Sequence, residues 1–157
     1  MDGVWSEIYS TIRAEFSDVP DAAEATRILV RLTVAVVLGG LIGYEREASG
    51  KAAGLRTHML VALGSAMFVL VPLRAGVPLA DISRVLQGLT AGIGFLGAGA
   101  ILKQNKNSEA DIEGLTTAAS IWMVAAIGVA AGLGRDTTAV IATVFTLVIL
   151  QVLLRLK

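Results

Sequence analysis

The chain lacks most of the groups on which enzyme sites and disulfide-bonded folds depend. It has no cysteine and one histidine among 157 residues, which excludes disulfides, thiol catalysis and cysteine-based zinc sites. It also lacks a Walker loop, an HExxH motif, a dinucleotide-binding motif and a nucleophile–base pair, so we expect no enzyme and no catalytic residue. Its charged residues, 17% of the chain, form no basic cluster, and we therefore expect no nucleic-acid partner.

Long apolar runs are what the sequence has in abundance. Hydrophobic residues make up 55% of the chain, and the mean hydropathy is +0.73. Five runs approach or exceed the roughly 17–25 residues that cross a bilayer, at residues 28–44, 55–73, 85–102, 115–133 and 138–154. The last three contain no charged residue. The pattern predicts an all-α membrane protein whose transmembrane domain, residues 21–157, has five spanning helices in a lipid bilayer.

The first 20 residues predict a separate amphipathic helix. Its apolar side chains recur at spacings of three and four residues, at Trp5, Ile8, Tyr9, Ile12 and Phe16. One interpretation is a helix that lies in the membrane interface, where Trp and Tyr are favoured. The other is a helix packed on the bundle or on a second subunit, because its opposite side is acidic rather than basic.

Charge concentrates where the first spanning helix ends and the second begins. Charge at a membrane border is costly unless it is paired or reaches the headgroups, so one interpretation is a clamp in which Glu45 pairs with Arg56. The other is a polar site at the inner membrane face, built with the turn before the fourth spanning helix. The candidate residues are Glu45, Arg46, Glu47, Arg56, Thr57, His58, Thr116 and Thr117.

Four carboxylates are weak candidates for a magnesium site. Mg²⁺ takes oxygen ligands, often one or two carboxylates with waters, and the topology puts Glu45, Glu47, Asp111 and Glu113 on one side of the membrane. Nothing in their spacing specifies a metal, and solvated acids are the favoured interpretation. We therefore predict no resident cofactor, with Mg²⁺ as the one candidate.

Glycines predict close contacts between helices. Small residues four apart let membrane helices approach, and the candidates are Gly39, Gly43, Gly88, Gly92, Gly94, Gly97 and Gly99. Five of them fall in the run 85–102, for which a broken, re-entrant segment is the alternative to a packed helix. The glycine stripes predict a homodimer, and they also suit contact with another membrane protein.

Charge and short motifs predict orientation and an internal repeat. An outside N-terminus leaves seven of the thirteen basic residues inside, so the positive-inside rule favours a cytoplasmic C-terminus. The motif GLIG at residues 40–43 precedes GLRT at 54–57, and GFLG at 94–97 precedes GLTT at 114–117, which indicates two similar helical hairpins.

Several ordered motifs resemble the MgtC/SapB family of bacterial inner-membrane proteins. They are GLIGYERE at residues 40–47, GLRTHMLVALG at 54–64, GIGFLGAGAI at 92–101 and GLTTAASIWMVAAIG at 114–128. The resemblance implies a multi-pass membrane protein linked to Mg²⁺ homeostasis, either a non-enzymatic regulator or a transporter of Mg²⁺ or another small ion. It also implies a C-terminal regulatory domain in longer members, whereas this sequence stops at Lys157.

Overall fold

The computed structural model describes residues 2–19, 21–104 and 114–152, and they form six α-helices. The helices are α1 (Asp2–Glu15), α2 (Ala22–Ala48), α3 (Leu55–Arg74), α4 (Ile82–Gln104), α5 (Leu115–Gly132) and α6 (Asp136–Val152). The predicted all-α class with an N-terminal amphipathic helix is confirmed. Packing divides the chain into two units, residues 1–30 and 31–157.

The helices α2 to α6 correspond to the five predicted runs. Four of them, α2 to α5, are long and apolar enough to cross a membrane, and α6 is a shorter apolar helix. The largest difference in bounds is at α2, which begins at Ala22 and extends through the charged residues to Ala48. The helical backbone continues past the apolar run because charged side chains at a helix end can pair or reach the headgroups.

The second unit is built around α5, which packs against α3, α4 and α6. The contact with α3 is made by backbone atoms, because α5 carries Gly128 and Gly132 where it meets Ala62 and Ala66. A Cβ added to Gly132 would lie 2.9 Å from the Ala66 Cα, and one at Gly128 would lie 3.0 Å from the Ala62 Cα. Ala62 meets Gly128 and Ala66 meets Gly132, so residue numbers increase in the same direction along both helices. The helices α3 and α5 therefore run parallel.

A second glycine contact joins α2 to α3. A Cβ at Gly39 would lie 2.7 Å from the Ala62 Cβ and 2.8 Å from the His58 carbonyl oxygen. One at Gly43 would lie 2.8 Å from the Leu55 Cα. The structure therefore places both predicted glycines of α2 directly against the first two turns of α3.

The glycines of α4 behave differently from the prediction of helix packing. Within the described part of the chain, a Cβ at Gly88, Gly92, Gly94 or Gly99 would meet nothing within 4 Å. A Cβ at Gly97 would lie 3.4 Å from the Ala118 Cβ of α5. The prediction is therefore wrong for four of the five glycines inside one chain, because α4 touches its neighbours along a different face.

The predicted repeat has one local counterpart in the packing. A Cβ at Gly43 would lie 2.9 Å from the His58 Cβ, and its predicted equivalent Gly97 faces Ala118 in the same way at 3.4 Å. His58 and Ala118 each donate a backbone hydrogen bond to the glycine that precedes their helix, Gly54 and Gly114 respectively. The overall relation between the two hairpins stays a prediction.

The contact between α3 and α5 predicts opposite effects of alanine at two glycines. Gly128→Ala should lower the free energy of unfolding by about 1–3 kcal/mol, since the new methyl group overlaps backbone atoms that cannot move aside. Gly92→Ala is the matched control, and it should be neutral or stabilising by up to about 1 kcal/mol because alanine favours helix. Thermal unfolding in detergent, followed by circular dichroism, measures both. Equal destabilisation by the two substitutions would contradict the contact.

Candidate functional site

A buried ion pair closes the C-terminal end of α2. The Arg46 Nε donates to the Glu45 Oε2, and the Arg46 Nη2 donates to the Glu45 Oε1 at 2.6 Å. The Ser49 hydroxyl donates to the same Oε1 at 2.9 Å. Arg46 is completely buried and Glu45 is 8% exposed. Two parallel hydrogen bonds are the strongest arrangement available to an arginine and a carboxylate. Such geometry is needed here because burial removes the water that would otherwise solvate both charges.

Two buried polar atoms, one in this pair and one on α5, retain bonding capacity. Within the described residues, the Arg46 Nη1 and the Thr117 hydroxyl have no hydrogen-bond partner. Thr117 is 1% exposed, on the first turn of α5. Because buried polar atoms are nearly always hydrogen-bonded, each is suited to an additional polar group, such as a water molecule.

His58 connects α3 to α5 through both of its ring nitrogens. Its Nδ1 lies 2.9 Å from the Gly54 carbonyl oxygen, and its Nε2 lies 3.0 Å from the Ser120 hydroxyl. A carbonyl oxygen can only accept, so Nδ1 carries the hydrogen that Gly54 accepts, and Nε2 pairs with the Ser120 hydroxyl. The Ser120 hydroxyl donates to the Thr117 carbonyl oxygen at 2.8 Å, so the contact of His58 with Ser120 reaches the first turn of α5.

These residues form one group, which we call the polar cluster: Glu45, Arg46, Ser49, His58, Thr117 and Ser120. Glu45 and Arg46 are close enough to His58 to interact with it electrostatically. The ends of α2, α3 and α5 therefore converge on one neutralised pair and one imidazole. A cluster of this kind holds helix ends in register, and it can also bind or relay a proton or a small polar ligand.

Glu47 has a separate role at the start of α3. Its Oε2 accepts the Leu55 backbone N–H at 2.9 Å across the connecting loop. A carboxylate at a helix N-terminus satisfies a free backbone donor and complements the helix dipole. Glu47 therefore acts as a cap supplied by the preceding helix.

The structure brings some of the predicted site residues together and separates the others. Glu45, Arg46, His58 and Thr117 are buried within the polar cluster, and Glu47 lies at its edge. The remaining three are exposed: Arg56, Thr57 and Thr116. The predicted pair of Glu45 with Arg56 is wrong, because α3 turns Leu55 and His58 toward α2 and Arg56 away, and the neighbouring Arg46 takes the carboxylate instead.

Two polar contributors were missed by reasoning from the sequence. Ser49 follows Glu45 by one helical turn, and Ser120 follows Thr117 by three residues, so helical spacing alone could have placed each beside a named candidate. The spacing of Gly128 and Gly132 repeats that of Gly39 and Gly43, and it marks a third helix with a close contact that was not predicted. The sequence shows the spacing of these serines and glycines, but it does not show which helix each of them contacts.

The predicted magnesium ligands do not assemble in the described structure. Within those residues, no three His, Cys, Asp or Glu side chains come together. Both Glu45 oxygens accept from Arg46, and Glu47 caps α3. Asp111 and Glu113 lie outside the described residues. Glu45 and Glu47 are therefore occupied by other partners and do not fit a resident magnesium ion.

A cavity of about 570 Å³ borders the ion pair between α2 and α6. Its polar wall includes Tyr44, Glu45, Ser49 and Gln151, and leucines from both helices form the rest. The cavity gives a small polar molecule or a lipid headgroup access to one edge of Glu45.

Comparison with known proteins assigns the family. The MgtC family model matches residues 32–157, which include the whole polar cluster. The chain belongs to the MgtC family. Within the described residues, four helices are long and apolar enough to cross a membrane, and the protein is therefore a multi-pass membrane protein. No solved structure matches the chain.

Three relatives illustrate the range of the family. Protein SrpB of Synechococcus elongatus is 43% identical over 136 residues, covering 81% of this chain and 75% of that protein. The putative magnesium transporter YhiD of Escherichia coli is 42% identical, covering 79% and 59% respectively. Protein MgtC of Salmonella typhimurium is 41% identical, covering 76% and 49%. The chain thus spans only about half the length of several MgtC-family relatives.

The buried ion pair predicts an asymmetric response to mutation. Arg46→Met should lower the free energy of unfolding by roughly 3–5 kcal/mol, because it leaves a buried carboxylate without a counter-charge. The double variant Glu45→Gln/Arg46→Met should recover part of that loss, and Arg56→Met is the matched control at an exposed arginine. Unfolding in detergent measures all three. An Arg46→Met effect as small as that of Arg56→Met would refute the assignment.

Proposed function

We propose that this MgtC-family protein is a non-enzymatic regulator in Mg²⁺ homeostasis, which acts through contacts with itself or with another membrane protein. The observation that carries the proposal is the neutralised Glu45–Arg46 pair. Both members of this ion pair are buried, and each charge offsets the other. The polar cluster therefore serves better as a structural joint between helices than as a cation site.

Two physical arguments weigh against Mg²⁺ passing through one chain. Mg²⁺ sheds its waters reluctantly and needs oxygen ligands, usually carboxylates, whereas the Glu45 carboxylate is held by a guanidinium. In addition, the α3 and α5 backbones touch at Gly128 and Gly132, which leaves no space for an ion between them.

The alternative function is transport of Mg²⁺ or another small ion by an oligomer. It draws on the name of the relative YhiD, a putative magnesium transporter, and on the exposed face of α4. A groove of about 460 Å³ runs along that helix past Gly88 and Gly92. A path between subunits would be lined by such surfaces rather than by the core of one chain.

We further propose that the protein lies in the bacterial inner membrane with its N-terminus outside and its C-terminus in the cytoplasm. The support is the excess of basic residues on the inner side, seven of thirteen, and the positive-inside rule. In this orientation the polar cluster faces the cytoplasm, where a regulatory partner or the cellular Mg²⁺ pool would reach it.

Flux measurements separate the two functions. We expect purified protein in liposomes to give no saturable Mg²⁺ uptake, measured with an enclosed Mg²⁺-sensitive dye, at protein densities that permit oligomers. The same gene should support growth in low Mg²⁺ of a strain that lacks its own MgtC-family protein. Saturable Mg²⁺ flux by the parent protein would overturn the regulator and favour the transporter.

Self-association through α4 is a separate proposal. Its glycines Gly88, Gly92 and Gly99 present backbone that meets nothing within the described chain, and such surfaces suit close helix pairing. We expect a dimer in native-like lipid, and we expect Gly92→Leu to produce monomers. Gly64→Leu is the matched control, because Gly64 is also uncrowded but lies on α3. Mass measurement in lipid nanodiscs reports both, and a monomeric parent protein would contradict the proposal.

A further inference from the structure

The N-terminal helix α1 carries an apolar face that the function above does not use. Trp5, Tyr9 and Phe16 are 68%, 69% and 83% exposed, and Val4, Ile8 and Ile12 lie on the same side at helical spacing. We infer that α1 is an interfacial helix, whose apolar face lies in the surface of a zwitterionic lipid bilayer beside the start of α2.

The connection to α2 places α1 within reach of that surface. Residues 16–21 separate the two helices, and a chain of this length spans at most about 20 Å. The first turns of α2 have the character of a headgroup region, since Arg27 and Glu24 form an ion pair at 3.0 Å in which the arginine is largely exposed. Exposed Leu29 follows directly, on a helix apolar enough to cross the membrane.

The chemistry of the two faces favours lipid over a protein partner. Trp5 and Tyr9 combine an apolar ring with a polar tip, which is the combination favoured at the membrane–water boundary. On the polar side, Ser10 and Thr11 donate to the Glu7 carbonyl oxygen at 2.9 and 2.8 Å. Because these hydroxyls already donate to their own helix, the polar side offers few free hydroxyl donors to which a specific protein partner could bind.

The charges indicate which lipid covers the apolar face. Around α1 the charged residues Glu7, Arg13 and Glu15 are exposed, and acids outnumber bases. Most interfacial helices carry Lys and Arg that bind anionic lipids, whereas this acidic helix would be repelled by them. The helix also precedes residue 32, where the family match begins, so this surface belongs to the chain's own N-terminal segment and the inference does not depend on the proposed function.

Tryptophan fluorescence of the full chain tests the inference. The chain has two tryptophans, so Trp122→Phe leaves Trp5 as the single probe. In phosphatidylcholine vesicles we expect a blue-shifted emission, strong quenching by lipids brominated near the headgroup end of their acyl chains, and weak quenching by aqueous acrylamide. The matched control is the triple variant Trp5→Phe/Ser10→Trp/Trp122→Phe, which puts the probe on the polar side of the same helix.

The outcomes separate lipid from other occupants. Quenching of Trp5 by brominated lipid that is severalfold stronger than that of the Ser10→Trp probe supports the inference, and equal quenching overturns it. Shielding of Trp5 that disappears when the protein is diluted into excess lipid would assign the face to a second copy and overturn the inference. Stronger shielding in phosphatidylglycerol than in phosphatidylcholine would likewise overturn the choice of a zwitterionic surface.

Discussion

The arrangement of the membrane helices depends on backbone contact between α3 and α5. Gly128 and Gly132 remove the side chains that would separate α5 from Ala62 and Ala66, and packing interactions then replace the hydrophobic effect, which is weak between helices in lipid. The central helix α5 also packs on α4 and α6. A substitution at this contact is therefore expected to disturb most of the second unit, whereas one on α4 need not.

The polar cluster depends on the same tight packing. Gly39 and Gly43 bring α2 onto α3, and this approach buries Arg46 and Glu45 at the point where α2 ends. A charged pair in that position is tolerated because each charge is satisfied by the other and because a cation near a helix C-terminus is favourable. His58 and Ser120 extend the connection to α5. The cluster thus joins three helix ends that glycine contacts have already aligned.

Much of the fold could be predicted from the sequence, but the neighbours of each helix could not. Apolar runs predicted the helices because a bilayer imposes a minimum length, and spacing indicated which residues share a face. It did not indicate which face meets which helix, so Glu45 was paired with Arg56 rather than with Arg46, and the α4 glycines were expected to pack within the chain. Of the candidate site, the residue types were predictable; the burial of Arg46 and the bond from His58 to Ser120 required the structure.

The parallel glycine contact has a consequence for how these helices can move. A slide of α5 by one turn that brought Val124 opposite Ala62 would force a β-branched side chain into a space that now admits only hydrogen. The close packing of α3 and α5 thus favours a single register between the two helices. A change of shape in the second unit is therefore expected to move the outer helices around α3 and α5, rather than to slide α5 along α3.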